Sequence, residues 1–237
     1  YLVPEREDWL IEKPLKMPES WVCFDSFPDI PIDERLPVER HGFVTFGTLN
    51  NSYKFTRHSI AVWSAIMREV ENSQFLLVRP EADSIVLHNM LRKEFANNGI
   101  APERINFINN FTRSASHFAY YNLIDVSLDT FPLAGGTTTC DAIWMGVPVI
   151  SLVGPSLHQR IGYSVLENAG CGELACHSIE EYLGKAVLLA NDIESLKEYR
   201  TNMRPALLRS PLCQSERYTR NFEKVMSEAF DEWLGSR

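Results

Sequence analysis

What the chain lacks narrows its function before anything else is read. No apolar run approaches the eighteen or so residues of a membrane helix, and no apolar signal core stands near the first residue. Basic residues are in the minority, with 23 Lys and Arg against 31 Asp and Glu, a net charge of −8. Broad attraction to nucleic acid or to an anionic membrane is therefore not expected, and an anion would have to be met locally. Cysteines number five, and none is paired with histidine at a zinc-like spacing. Four residues separate Cys171 from Cys176, the wrong gap for a CxxC redox site. They read as reduced packing thiols of a cytoplasmic protein. Walker loops, GxGxxG after a strand, HExxH and GxSxG are all missing, so the mechanisms tied to them lose support. "LAGGTTTC" lacks the third spaced glycine of a dinucleotide fingerprint.

What is present is ordinary in bulk: 237 residues, 45% apolar and 23% charged, enough for one large globular domain. Residues 1–41 differ from the rest, holding six of the thirteen prolines and no sustained apolar period. They read as an extended, irregular segment lying along a larger body. From residue 43 the pattern is regular. "FVTFG", "QFLLV", "INFIN", "IDVSLD" and "PVISLVG" read as strands, at 43–47, 74–78, 105–109, 124–129 and 148–154. Between them lie helical stretches, the first with Ile60, Trp63, Ile66, Met67 and Val70 on one face and Thr56 as N-cap. Gly99 closes the second, "ASHFAYYN" is a short helix, and "LHQRIGYSVLENAG" is another. The C-terminal third reads as helices only, over 178–191, 193–208 and 216–234. Alternating strands and helices predict an α/β fold, a doubly wound, mostly parallel, Rossmann-like sheet. In such sheets ligands sit beyond the carboxyl ends of the strands, so the loops that follow strands hold the candidates.

"FPLAGGTTTCDAIWMGVP" is such a loop running into a helix. Gly135 and Gly136 allow close backbone approach, the first-turn amides and the helix dipole favour an anion, and Thr137, Thr138 and Thr139 add hydroxyls. Asp141, one turn in, is placed to accept from a sugar hydroxyl. The plainer alternative is that Thr137 merely caps the helix and the glycines make a tight turn. A second loop, "FGTLNNSYKFT", brings Asn50, Asn51 and Lys54 to the next helix start, where a lysine can meet a diphosphate or simply be solvated. In "NNFTRSASHFAYYNLID", His117 stands among aromatics and fits either a stacked base or a hydrogen-bonded core. In "GPSLHQR", His158 and Arg160 follow Ser156, a capping candidate.

"FVTFGTLNNSYKFT", "HFAYYNLIDVSLDTFPLAGGTTTCDAIWMGVPVISLVG" and "SPL" near residue 210 resemble the C-terminal half of the O-GlcNAc transferase and SPINDLY family. These are tetratricopeptide-repeat glycosyltransferases of the GT-B type, and the likeness runs from about Leu15 to Trp233. It implies the C-terminal lobe of a GT-B enzyme, which holds the nucleotide-sugar. By matching motif positions it implies Lys54 on the donor diphosphate as the catalytic cation and Asn51 as its polar neighbour. His117 would pack on the nucleoside base, Thr137 and Thr138 on phosphate at the helix start beside Gly135 and Gly136, and Asp141 on the ribose. Gly136 stands where animal O-GlcNAc transferases have histidine, and Ser114 where they have lysine. Both changes lean toward the bacterial and SPINDLY type.

The resemblance implies an inverting transfer of a sugar, GlcNAc from UDP-GlcNAc first, onto serine or threonine of proteins. The alternatives are SPINDLY-type O-fucosyl transfer from GDP-fucose, or a non-catalytic nucleotide-sugar-binding module. A two-lobed nucleotide-sugar epimerase is a further rival. No cofactor and no metal are expected, since no DxD pair adjoins the phosphate loop and Asp125 and Asp129 flank a strand. The repeats that recruit a protein acceptor and the N-terminal lobe would precede Tyr1. Residues 1–41 would be the tail of that lobe, 42–237 the donor lobe, and the last helix would cross back. No general base is evident, and the chain alone is expected to be inactive.

Overall fold

The computed structural model describes residues 1–3, 10–24, 29–109 and 116–235. Six strands form one sheet in the order β3-β2-β1-β4-β5-β6, every pairing parallel. They are β1 (Val44–Thr48), β2 (Ser73–Val78), β3 (Ile105–Ile108), β4 (Val126–Leu128), β5 (Val149–Leu152) and β6 (Ala175–Cys176). Every residue of β1 and β4 is buried, as expected of central strands covered on both faces. The helices are α1 (Pro37–His41), α2 (Arg57–Glu69), α3 (Ile85–Asn97), α4 (Thr137–Trp144), α5 (Ile161–Ala169), α6 (Ile179–Ala190), α7 (Ile193–Arg209) and α8 (Ser215–Gly235). Right-handed crossovers put α2 and α3 on one face and α4 and α5 on the other. α2 packs on α3 and α6, and α4 packs on α5 and α7.

α2 shows why the sequence folds as it does. Its apolar stripe buries Ile60, Trp63, Ile66 and Met67, and the Thr56 side chain accepts from the Ser59 amide as its cap. Trp63 stacks on Phe75 of β2 with ring centroids 5.2 Å apart, and Phe75 lies against Phe95 of α3. The Trp63 indole N–H donates to the Tyr182 hydroxyl at 3.1 Å, and that hydroxyl donates to the Asp129 carbonyl at 2.9 Å. One chain of bonds thus ties α2 and α6 to the exit of β4.

Several boundaries differ from the sequence expectation. β4 is three residues rather than six, although the Asp125 and Asp129 amides at its ends still donate to the Thr45 and Ile150 carbonyls of β1 and β5; the Asp125 side chain accepts the amides of Thr45 and Val38 at 2.8 and 3.1 Å. The expected helix at 157–170 begins only at Ile161; Leu157–Gln159 form a 3₁₀ turn in which Gln159 reaches back to the Ser156 amide. "HFAYYNL" is 3₁₀ rather than α-helical. Within the irregular N-terminal stretch, Pro37 starts the short helix α1. The C-terminal third opens on β6, a two-residue strand too short to leave a periodic signal. No disulfide joins the five cysteines. Among the described residues no helix is long and apolar enough to cross a membrane.

Candidate functional site

The strand order reverses between β1 and β4, and the loops leaving their carboxyl ends face one another there. The turn after β1 carries Asn50, Asn51 and Lys54; the loop after β4 runs from Asp129 through Gly136 into α4. Asn51 begins a 3₁₀ turn over Ser52–Lys54, its side chain accepting from the Tyr53 amide. That tight turn points Lys54 across the gap. Lys54 Nζ donates to the Ala134 carbonyl at 3.0 Å and to Asn50 Oδ1 at 3.2 Å. Thr138 Oγ1 donates to the same Asn50 oxygen at 3.1 Å. Trp21, Asn50, Asn51, Tyr53, Lys54, Arg79, Gly136, Thr137, Thr138 and Ile161 line an open cleft of about 360 Å³.

Burial lowers the Lys54 ammonium below its ordinary range, and the charge of Asp129 opposes that shift. A partly desolvated cation with two of its three N–H groups on neutral oxygens is suited to an anion. α4 adds its own donors. Gly136 is its N-cap and Thr137 its first residue, so Thr137 does not cap the helix. Thr139 and Cys140 donate back to the Gly136 carbonyl, while Thr137 and Thr138 stand at the amide end of the helix dipole.

The two glycines have different jobs. The Gly135 amide donates to Asp129 Oδ1 at 2.7 Å, and a Cβ there would lie 2.8 Å from the hydroxyls of Thr138 and Thr139. Its need to be glycine is internal. Gly136 lines the cleft itself, and a Cβ on it would meet Ile161 at 3.0 Å and the Trp21 ring at 3.7 Å.

His117 and Asp141 form a second pair, with His117 Nε2 3.2 Å from Asp141 Oδ2. Asp141 is buried on α4 while His117 is open along one side. Burial raises the Asp141 carboxyl, and the hydrogen bond from His117 opposes the shift. The His117 ring lies 4.3 Å from that of Phe118, and Tyr121 donates to the Thr138 carbonyl at 3.0 Å. The nearby loop thereby holds α4 at its first turn.

The chain matches glycosyl transferase family 41 over residues 35–222. This protein belongs to glycosyl transferase family 41. A relative from Oryza sativa subsp. japonica, "Probable UDP-N-acetylglucosamine--peptide N-acetylglucosaminyltransferase SPINDLY", is 34% identical over 223 residues, 94% of this chain and 24% of its own. A Giardia intestinalis "UDP-N-acetylglucosamine--peptide N-acetylglucosaminyltransferase" is 30% identical over 195 residues, 80% of this chain and 12% of its own. A solved mutant of the Thermobaculum terrenum O-GlcNAc transferase superposes with a TM-score of 0.76 at 29% identity, covering 85% of this chain and 38% of that one. The chain spans about a quarter of the length of the plant relatives it matches. The six-stranded sheet is that of the C-terminal lobe of a GT-B glycosyltransferase.

Within this family 41 lobe, Lys54, Asn51, Gly136, Thr137 and Thr138 share the cleft. His117, in the 3₁₀ segment before β4, pairs with Asp141 on α4, and Gly135 is turned inward. Ser114 lies outside the described residues. Asn50, expected only as a member of its loop, holds Lys54 and Thr138 together, and Asp129, which flanks β4 as expected, is also the buried acceptor at the centre. Arg79, which the sequence reading does not name, lines the cleft straight after β2, where the strand-exit rule would place it.

Proposed function

We propose that the chain is the donor-binding half of an inverting transferase that moves a sugar onto serine or threonine of proteins, with UDP-GlcNAc as donor. One observation carries the reading: a half-buried lysine, two threonines and a helix N-terminus converge on one cleft at the carboxyl ends of β1 and β4. The departing group is a nucleoside diphosphate, and its developing charge is what needs stabilising. Lys54, Thr137, Thr138 and the α4 amides are arranged to meet that charge without a resident metal. Removing one such donor from a working site costs about 3–4 kcal/mol of barrier. His117 and Asp141 take the nucleoside end, the ring against the base and the carboxylate on a ribose hydroxyl. Residues 42–237 form the donor lobe in this reading, and residues 1–41 lead into it from a second lobe that faces the cleft. The protein acceptor is presented by repeats of that longer protein, and the general base lies outside this chain.

Calorimetric titration with UDP and with GDP, on the native chain and on Lys54→Ala, tests the reading. UDP binding that weakens in the variant supports it. A lysine-dependent preference for GDP moves the donor to GDP-fucose, as in SPINDLY-type fucosyl transfer. Binding of neither, with the variant folded, sinks the donor-site assignment.

A further inference from the structure

We infer that Asp129 is the positioning residue of this cleft, a buried carboxylate that fixes the Asn50 amide and through it aims Lys54 and Thr138. The inference rests on the donor-site reading above and adds to it a residue that touches no ligand. Asp129 follows β4 and is fully buried. An ionised carboxylate there is tolerable only if its lone pairs are met. Oδ1 accepts from Asn50 Nδ2 at 3.0 Å, from the Thr130 amide at 2.8 Å and from the Gly135 amide at 2.7 Å. Oδ2 accepts from Ser151 Oγ at 2.6 Å.

A carboxylate only accepts, so Asn50 must turn its NH₂ inward and its carbonyl outward. The outward oxygen is the one that Lys54 and Thr138 share, at 3.2 and 3.1 Å. Were the amide reversed, its oxygen would face the carboxylate and its NH₂ would face the ammonium, both unfavourable. The same Oδ1 holds the Gly135 amide next to Ala134, whose carbonyl is the other acceptor for Lys54. One buried group thus sets the loop after β1, the approach to α4 and the resting place of the cation. Burial raises the Asp129 carboxyl, while the bond from Ser151 leads the groups that oppose the shift, the Lys54 charge among them. The bland alternative is a buried acid that merely braces the β4 exit. It predicts general loss of stability without a preference for phosphate.

Asp129→Asn separates the two. The isosteric amide keeps one acceptor oxygen for the three N–H donors but turns its NH₂ to Ser151, whose hydroxyl must then accept, so the charge that holds the set is lost with little change in volume. UDP affinity should fall about tenfold or more while uridine affinity stays within about twofold, because only the phosphate half is misaimed; GDP and guanosine are run in parallel. In an Asn50→Ala background the same substitution should add less than about twofold, since the relay is already cut. In the ligand-free chain, hydrogen exchange of the Asn50 side-chain amide should speed up in Asp129→Asn by about tenfold. Equal losses for UDP and uridine, full additivity with Asn50→Ala, or unchanged Asn50 exchange would each overturn the inference. If the native chain binds neither diphosphate, the donor reading fails on its own, and the exchange of Asn50 still decides whether Asp129 sets the amide. If Asp129→Asn does not fold, Asn50→Ala decides: UDP loss with uridine intact supports the relay, and unchanged UDP affinity overturns it.

Discussion

Lys54 Nζ lies 3.0 Å from the carbonyl oxygen of Ala134, a residue 80 positions later in the chain. That contact closes the cleft floor between the two halves of the sheet. It also places the ammonium where burial lowers its affinity for a proton. Replacing Lys54 by alanine should therefore leave the melting temperature within a few degrees of the native value. UDP affinity should fall about tenfold or more, since a desolvated cation facing a diphosphate contributes a charge-assisted bond. Calorimetry and thermal unfolding on the same preparation check both halves of this statement. A large drop in melting temperature would make Lys54 a structural tether instead.

Asp141→Ala should act at the other end of the ligand. The His117–Asp141 bond is lost, and both uridine and UDP should bind about tenfold more weakly. Lys54→Ala, by contrast, should weaken UDP and spare uridine. Titrating both ligands against both variants gives a two-by-two pattern. The same pattern for the two variants would mean that the pair does not divide the nucleotide between them.

Asp125 predicts a pH dependence of stability. Burial raises its carboxyl from 3.8 to about 6, while the Thr45 and Val38 amides and then the Arg200 and Arg40 charges oppose the shift. A carboxyl raised in the folded state contributes stability that is fully present below its unfolded value and lost as pH rises through about 6. The stability of the native chain minus that of Asp125→Asn should therefore grow by about 2–3 kcal/mol between pH 7 and pH 4. Denaturant titrations across that range measure it. A difference that is flat, or that shrinks in acid, contradicts the assignment.

The thiols should divide into two sets. Cys140, Cys171 and Cys176 are buried, and burial pushes all three up, Cys171 to about 12 and Cys176 to about 11. Cys23 and Cys213 are only partly buried. A thiolate-selective reagent at neutral pH should modify at most those two in the native chain and all five in denaturant. Rapid native labelling of Cys140, read by peptide mass mapping, would contradict the packing of α4.

The legible parts of this fold are those carried by local pattern. α2 follows from Ile60, Trp63, Ile66 and Met67 on one face and from a threonine cap, signals that need no partner to be read. The threonine loop was legible because the strand-exit rule says where to look. Asp129 was not. Its meaning comes from Asn50, 79 positions away, and from Ser151 on the next strand, and no local spacing encodes either contact. The start of α5 slipped for a related reason: Gln159 folds back on the Ser156 amide and takes three residues out of the helix. The spacing around His117 fits either base stacking or a core, and the structure gives it a third attribute, a buried carboxylate partner.

β1 and β4 are neighbours, with Phe46 opposite Val126, although β2, α3 and β3 lie between them in the chain. A polypeptide emerging from the ribosome holds only one side of the cleft, with Asn50, Lys54 and Arg79, until β4 and the start of α4 have appeared. Joining ends some 80 residues apart costs about 4 kcal/mol of chain entropy plus a constant. Under the proposed function, a form holding only the first three strands would lack Ala134, Thr137 and Thr138, and with them the α4 side of the donor cleft. Were a nucleotide to occupy the cleft as proposed, its protection of the chain against proteolysis would count only molecules folded through α4, a readout of finished folding.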